Sequence, residues 1–415
     1  CHITGAFRQV LNADQWVMTR HAKLSALCTA AIVGLAPPGL WAQQVARTGL
    51  EFGGVPAINF DSDEGFGYGV ITEFYQYGDG SRLPYAWTLQ PRVFLTTEGR
   101  RDVTVFFDAP DLFGGAWRLT AFGGTEKQIA TPYYGLGNDS QYDESLDADD
   151  GPNPYFFRYG RTRDGVTAKL QRRLSSAPVR LLFGAGVQQT RILPVPEGEG
   201  TTVYAQQVSS DASSTWTNFL QAGLVYDTRD RETGPTRGAW AELLVQRSDD
   251  ALGADHDFTR ITATGRHYLS LSERLVLAQR IIVQHASSGI PEHELSWIQS
   301  SFKDQEGLGG AKSLRGVQRN RYAGRGMALW NAELRWRAAR FSLLGRNFTA
   351  VLSGFVDQGR VWRDGVDLSA IASDLHRGFG GGLRVAMGEN FVVAFDAGTS
   401  AETTAPIYIG LGYLY

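Results

Sequence analysis

Hydrophobicity in this chain alternates with a period of two, over long segments and along most of its length, and few folds tolerate that pattern. Over 326–337, Ala328, Trp330, Ala332, Leu334 and Trp336 fall on one face, while Asn331, Glu333, Arg335 and Arg337 fall on the other. A helix, with its period of 3.6, would scatter both sets; a strand separates them. In 274–285, Leu275, Leu277, Ile281 and Val283 alternate with Ala278, Arg280 and Gln284. In 257–269, Arg260, Thr262, Thr264 and Arg266 oppose Ile261, Ala263 and Leu269. Phe391, Val393 and Phe395, then Ile407, Ile409, Leu411, Tyr413 and Tyr415, repeat the theme.

A soluble β-sandwich would alternate too. Three features favour a membrane barrel instead. Many segments run to ten residues or more, against a usual five or six in soluble sheets. Glycine clusters such as Gly184 and Gly186, or Gly380 to Gly382, suit curved strands and close packing. The connections also alternate between short and long. The pattern predicts sixteen strands, at 49–60, 65–77, 84–96, 101–109, 114–126, 156–172, 178–191, 215–228, 237–248, 257–270, 274–286, 326–340, 346–358, 378–388, 390–399 and 405–415. Long connections follow the fifth, seventh, eleventh and thirteenth, at 127–155, 192–214, 287–325 and 359–377; those after even-numbered strands stay short. Outer-membrane barrels have even strand numbers, long outer loops and short periplasmic turns. The expected fold is therefore all-β, a transmembrane antiparallel β-barrel of about 16 strands. Lys169, Arg180, Glu242, Arg384 and Asp396 join the polar face, and such charges facing lipid would cost a few kcal/mol each. They are expected to face a lumen. No uncharged apolar run of 18 residues occurs after position 42, which excludes a bundle of spanning helices.

The N-terminal region reads as an export signal. Arg20, His21 and Lys23 precede the apolar stretch from Leu24 to Ala36, Pro37 to Gly39 break it, and Ala42 supplies a small residue for cleavage. We read 18–42 as a signal peptide, 1–17 as an upstream artefact before Met18, and 43–415 as the mature barrel. The two cysteines, Cys1 and Cys28, lie outside that mature chain, so it has no disulfide, zinc cluster or thiol nucleophile to offer. The net charge of -3, with both signs interspersed, gives no reason to expect nucleic acid.

Four segments carry a family resemblance. Tyr226 to Asp230 followed by Pro235 to Gly238 looks like a strand–turn–strand signature, with Asp227, Arg229, Asp230 and Gly238 as its key positions. Leu314-Arg315-Gly316-Val317 lies in the longest connection, 287–325. Gly326 to Arg335 contains Asn331 and Glu333, and Phe355-Val356-Asp357-Gln358-Gly359 follows. Together, in this order, they resemble the bacterial surface antigen, or outer-membrane assembly factor, superfamily of BamA- and TamA-like barrels. Val317 stands where the family has an aromatic. The resemblance extends most clearly over 215–415 and is weaker over 49–200. It implies that loop 287–325 folds into the lumen and that Arg315 pairs with Glu333 and Asp357. Alternation independently places both carboxylates inward on neighbouring strands, where a guanidinium fork can bridge them. The alternative is a solvated loop arginine, and Arg319, Arg321 and Arg325 are expected to be solvated or to meet anionic headgroups. Family members that insert or export proteins carry POTRA domains before the barrel; the few residues between Gln43 and the first strand lead us to expect none here.

No G-x-S-x-G or H-E-x-x-H motif is present. His285-Ala286-Ser287 has the spacing of an outer-membrane phospholipase dyad but lacks a partner motif. Asp61, Asp63 and Glu64, and the acidic stretch 139–150, could ligate calcium, yet solvated outer loops are commonly acidic. We expect no catalytic, cofactor or metal site. The turn from Asp227 to Gly238 is expected to be structural, since Asp and Gly-Pro form turns. The alternating, aromatic C-terminus resembles the signal read by the barrel-assembly machinery. The resemblance implies translocation or insertion of protein or lipid in the outer membrane of a Gram-negative bacterium. Its partners there would be outer-membrane lipids and lipopolysaccharide, the assembly machinery, and a separate periplasmic protein. The competing readings are a passive pore or structural surface protein and, with less support, a lipase.

Overall fold

The computed structural model describes residues 48–61, 65–81, 84–146, 153–194, 200–208, 214–343, 346–387, 391–403 and 406–415. The segments read as upstream extension and signal peptide, together with Asp63, Glu64 and 147–150, lie outside them.

Sixteen strands form one antiparallel meander. They are β1 (Leu50–Asp61), β2 (Gly65–Gln76), β3 (Trp87–Thr96), β4 (Arg101–Leu112), β5 (Trp117–Pro132), β6 (Arg158–Arg173) and β7 (Val179–Leu193). Then come β8 (Phe219–Asp227, extended by Ser214–Trp216), β9 (Gly238–Ser248), β10 (Phe258–Ser270) and β11 (Leu275–Ala286). The series ends with β12 (Gly326–Leu343), β13 (Arg346–Trp362), β14 (His376–Met387), β15 (Phe391–Ser400) and β16 (Ile407–Leu411). Each pairs with its sequence neighbours. Among the described residues no strand pairing joins β1 to β16.

Several boundaries differ from the alternation pattern. β5 runs six residues further, to Pro132, and β13 four further, to Trp362, because loops packed across their outer ends keep the ladders paired there. The eighth strand is interrupted at 217–218, where Asn218 turns its amide to the carbonyls of Leu252 and Gly253. β16 ends at Leu411, and Tyr415 instead hydrogen-bonds the Ala278 carbonyl with its hydroxyl.

The two faces divide as the alternation requires. On β12, Trp330, Leu334 and Trp336 are exposed outward, whereas Asn331 and Glu333 are fully buried. Phe183, Val187, Leu220, Ile261 and Ile281 continue the apolar outer belt. Only closed barrels and helices satisfy backbone polar groups in hydrocarbon, and the interior contacts show that this sheet is curled. In loop 287–325, Lys303 reaches Gln90 on β3, while the Gly316 N–H donates to the Tyr408 hydroxyl on β16. Flat, those strands would lie roughly 60 Å apart, at about 4.8 Å per strand. Between the two residues the chain doubles back, with the Gly310 N–H donating to the Val317 carbonyl. The seven residues that remain span about 25 Å at most. The sheet has to wrap around the loop.

At the long-loop end the barrel is capped. Tyr133, Tyr134, Phe157, Tyr159 and Tyr204 pack with Phe258 and Ile290 into a buried aromatic dome, the Tyr159 and Tyr204 rings stacked at 4.2 Å. Tyr204 stands on helix α1 (Val203–Gln207), which Thr202 caps by accepting the Ala205 N–H.

Candidate functional site

Loop 287–325 fills part of the lumen, and a hairpin of two short strands, Trp297–Ile298 and Gln305–Glu306, gives it shape. Its apolar side (Ile298, Leu308, Leu314, Val317 and Tyr322) packs on the barrel residues Ile282, Met327, Leu329 and Val361. Burying several such side chains contributes about 1.5–3 kcal/mol each relative to exposure. The fit is tight, since a Cβ on Gly359 of β13 would lie 2.8 Å from the Leu308 side chain.

The tip carries the arginine. Arg315 is fully buried, and its Nε and Nη2 donate to Oδ2 and Oδ1 of Asp357 at 2.8 and 3.0 Å. Its Nη1 donates to Glu333 at 3.0 Å and to Asp396 at 3.5 Å, and its backbone N–H also reaches Asp357. The guanidinium carbon sits 3.5 Å from the centroid of the Phe355 ring. Such forked, charge-assisted bonds are about twice as strong as neutral ones. Glu333 is shared with Arg335 and Arg384, and Arg384 in turn clasps Asp396. Asn331 links loop and wall, donating to the Ser313 carbonyl and to Asp357, while Arg280 donates to Asn331. Gly316 adopts φ +91°, a left-handed conformation open to glycine, and its missing Cβ would lie 2.6 Å from the Thr399 carbonyl.

The structure therefore brings Leu314, Arg315, Gly316, Val317, Glu333 and Asp357 together. Asp396, Arg384 and Tyr408 complete the cluster. Asp396 and Arg384 alternate inward in the sequence, but nothing there ties them to Arg315. Asp227, Arg229, Asp230 and Gly238 belong to the turn between β8 and β9, at the short-turn end. Asp227 binds Arg229 at 2.7 Å, Asp230 accepts from Thr236 and Arg237, and Gly238 has φ +98°, so the turn is held by local bonds. Arg319, Arg321 and Arg325 are paired rather than solvated, with Glu306, Glu402 and Asp364. His285 and Ser287 do not meet: the His285 ring faces Val366, and the Ser287 hydroxyl accepts the Thr259 N–H.

A second set of anchors holds the other side of the loop. Lys169 binds the Ser300 carbonyl at 2.5 Å and Asp304 at 2.7 Å; Glu242 accepts the Ser301 N–H. Arg163 and Arg260 flank Glu294, and Arg161 and Arg319 flank Glu306. Burial opposes ionisation of both glutamates, yet the paired arginines hold each down to about 2. A depressed carboxylate stabilises the folded state above its unfolded value and loses that contribution as pH falls through the folded one. The loop should therefore stay seated from neutral pH down to about 4.5 and loosen progressively toward pH 2. Limited proteolysis of the detergent-solubilised protein across this range checks it; cleavage within 287–325 already at pH 5 would contradict the assignment.

Beside the loop remains a chamber of about 2360 Å³ whose lining reaches the short-turn end at Ser81, Gly114, Ser176 and Glu232. The same lining includes Tyr134, Glu144 and Thr403 at the long-loop end, so fold and site define a transmembrane barrel with a plug and a chamber beside it. Residues 98–405 match the Omp85 superfamily domain. This chain belongs to the Omp85 superfamily and is an outer-membrane β-barrel, of the kind its sequence motifs indicated. The crystal structure of BamA from Haemophilus ducreyi lacking POTRA domains 1–3 is similar, with a TM-score of 0.54 at 14% identity, covering 88% of this chain and 70% of that one. CdiB from Escherichia coli is similar with a TM-score of 0.53 at 14% identity, covering 87% of this chain. The chain spans 61% of that CdiB structure. At this identity the likeness speaks for the fold. No curated protein is significantly similar in sequence.

Proposed function

We propose that this chain translocates or inserts protein or lipid at the outer membrane of a Gram-negative bacterium, with loop 287–325 as a displaceable plug and no enzymatic step of its own. In this reading Leu314, Arg315, Gly316 and Val317 form the plug tip, Glu333 and Asp357 receive it, and the Asp227 to Gly238 turn is structural. Residues 18–42 direct export, 43–415 form the barrel, the assembly machinery inserts it, lipid and lipopolysaccharide surround it, and a separate periplasmic protein delivers cargo.

The observation that carries the reading is the buried Arg315 cluster beneath a capped mouth. A loop fixed by so many charged bonds across the bore obstructs passive diffusion through it. The likeness to BamA and CdiB, and the shared superfamily, favour transport or insertion over a structural role. Planar-bilayer recording of the purified barrel tests it. The expected trace is a small, flickering conductance; a steady, large, solute-permeable one would instead establish a passive pore. Crosslinking in native envelopes should capture a periplasmic partner.

A further inference from the structure

We propose that the chamber beside the plug binds a phosphate-bearing lipid, its headgroup held by Arg180, Arg266, Lys303 and Lys312. All four residues line the cavity. Among the described residues none has a carboxylate within 4 Å, whereas Arg118, Arg229 and Arg319 on the same lining are each ion-paired. Buried Nη1 of Arg180 and Nε of Arg266 have no hydrogen-bond partner among the described residues. Lys303 reaches only the neutral Gln90 and the faces of Phe106 and Phe302.

The arrangement is costly as it stands. Arg266 is the direct cross-strand partner of Arg280. Like charges placed opposite each other in an antiparallel pair destabilise it. Arg280 finds only neutral acceptors, Asn331, Gln305 and the Lys312 carbonyl. Trp240 lies 4.2 Å over the Arg266 guanidinium, which softens the repulsion without neutralising it. The enclosure of the lumen, then Lys312 and Arg92, push Lys303 down to about 8; Glu73 and Asp108 pull the other way. Enclosure, then Arg280 and Arg384, also lower Lys312. Two of the carboxylates that line the same space, and Glu242, which attracts Arg266, are engaged elsewhere, while Glu73 and Glu126 also line it. Asp227 holds Arg229, Glu232 holds Arg118, and Glu242 accepts the Ser301 N–H. A bound oxyanion would relieve the repulsion, and two guanidinium forks with two ammonium groups match a phosphate.

The rest of the lining says that the ligand has a tail. Ala57 and Ile71 on β1 and β2, with Val393 and Ile409 on β15 and β16, make the chamber apolar on one side. That side is where β1 and β16 lack a strand pairing among the described residues. Cations contributed by β7, β10 and the loop, with aliphatic side chains at an unpaired seam, suit an anionic head with acyl chains. The volume exceeds the roughly 300–1,000 Å³ of an ordinary small-molecule site. The proposal rests on the transport reading for its purpose but not for its measurement. Lipid binding can fail while the plug experiments succeed, and the reverse.

Native mass spectrometry of the full chain in a zwitterionic detergent tests it, titrating phosphatidic acid, diacylglycerol with the same chains, inorganic phosphate and poly-glutamate. Phosphatidic acid should bind at least tenfold tighter than diacylglycerol, and inorganic phosphate only weakly. Arg266→Gln combined with Lys312→Gln should weaken phosphatidic acid binding at least tenfold, while Arg266→Lys should retain most of it. Heat-modifiable gel mobility reports whether each variant is folded. If the double variant unfolds, the single variant Lys303→Gln, on the loop surface facing the chamber, should show a loss of threefold or more. Equal binding of phosphatidic acid and diacylglycerol, or no change in any folded variant, would overturn the site. Inorganic phosphate binding as tightly as the lipid would overturn the lipid assignment, and tighter binding of poly-glutamate would point to an acidic polypeptide instead.

Discussion

Replacing Arg315 by alanine should release the plug, cost about 3–5 kcal/mol of stability, and turn a small flickering conductance into a larger one. The expectation follows from what the guanidinium leaves behind. Asp357 loses a bidentate partner, and Glu333 and Asp396 each lose a cation, in a site from which solvent is excluded. Breaking a buried pair on one side is expensive because the remaining charge stays desolvated, whatever the pair itself was worth. Glu333 keeps Arg335 and Arg384, so Asp357 bears most of the loss. Arg315→Lys keeps a charge without the fork and should fall between the two. Bilayer recordings and thermal unfolding followed by gel mobility read both effects. A variant with wild-type conductance and an unchanged midpoint would end the idea of a pinned plug.

The second large effect needs no charge. Gly378 on β14 lies against the loop backbone, and a Cβ built there would sit 1.7 Å from the Arg315 carbonyl oxygen. Both sides of that contact are backbone, and β14 is fixed between β13 and β15. Gly378→Val should therefore leave the barrel folded and expel the loop tip. Trypsin would then cut at Arg319 or Arg321, which the seated loop protects through Glu306 and Glu402. Gly354→Val is the control, since nothing lies within 4 Å of its added Cβ and Gly354 belongs to the neighbouring strand. Equal trypsin resistance of Gly378→Val and wild type would show that the loop does not rest against β14.

These contacts were unequally visible in the sequence. Alternation alone assigned strands and told inward from outward, because a spanning wall forces every second residue of β12 or β13 into one solvent or the other. That placed Glu333 and Asp357 in the lumen, and a loop motif supplied Arg315. Alternation fixes a side but not a height. Whether Asp396 reaches the arginine depends on the registers of β13, β14 and β15, which accumulate over two ladders. The partners of Arg319, Arg321 and Arg325 were hidden for the same reason, since Glu306 and Glu402 come close only after the loop has folded inward. Tyr133 and Tyr204 fall in 127–155 and 192–214, segments read as long connections, where alternation says nothing about packing. Their packing against one another depends on two loops and a five-residue helix meeting over the mouth.

The aromatic dome also bears on the cell that makes this barrel. Tyr133, Tyr159, Tyr204 and Phe258 pack over part of the long-loop mouth, while the lining of the chamber runs from Glu144 and Thr403 at that end to Ser81 and Glu232 at the other. Whatever crosses has to pass between the seated loop and the barrel wall. A cell that carries this barrel therefore depends on the loop, more than on the dome, to keep the barrier its outer envelope exists to provide.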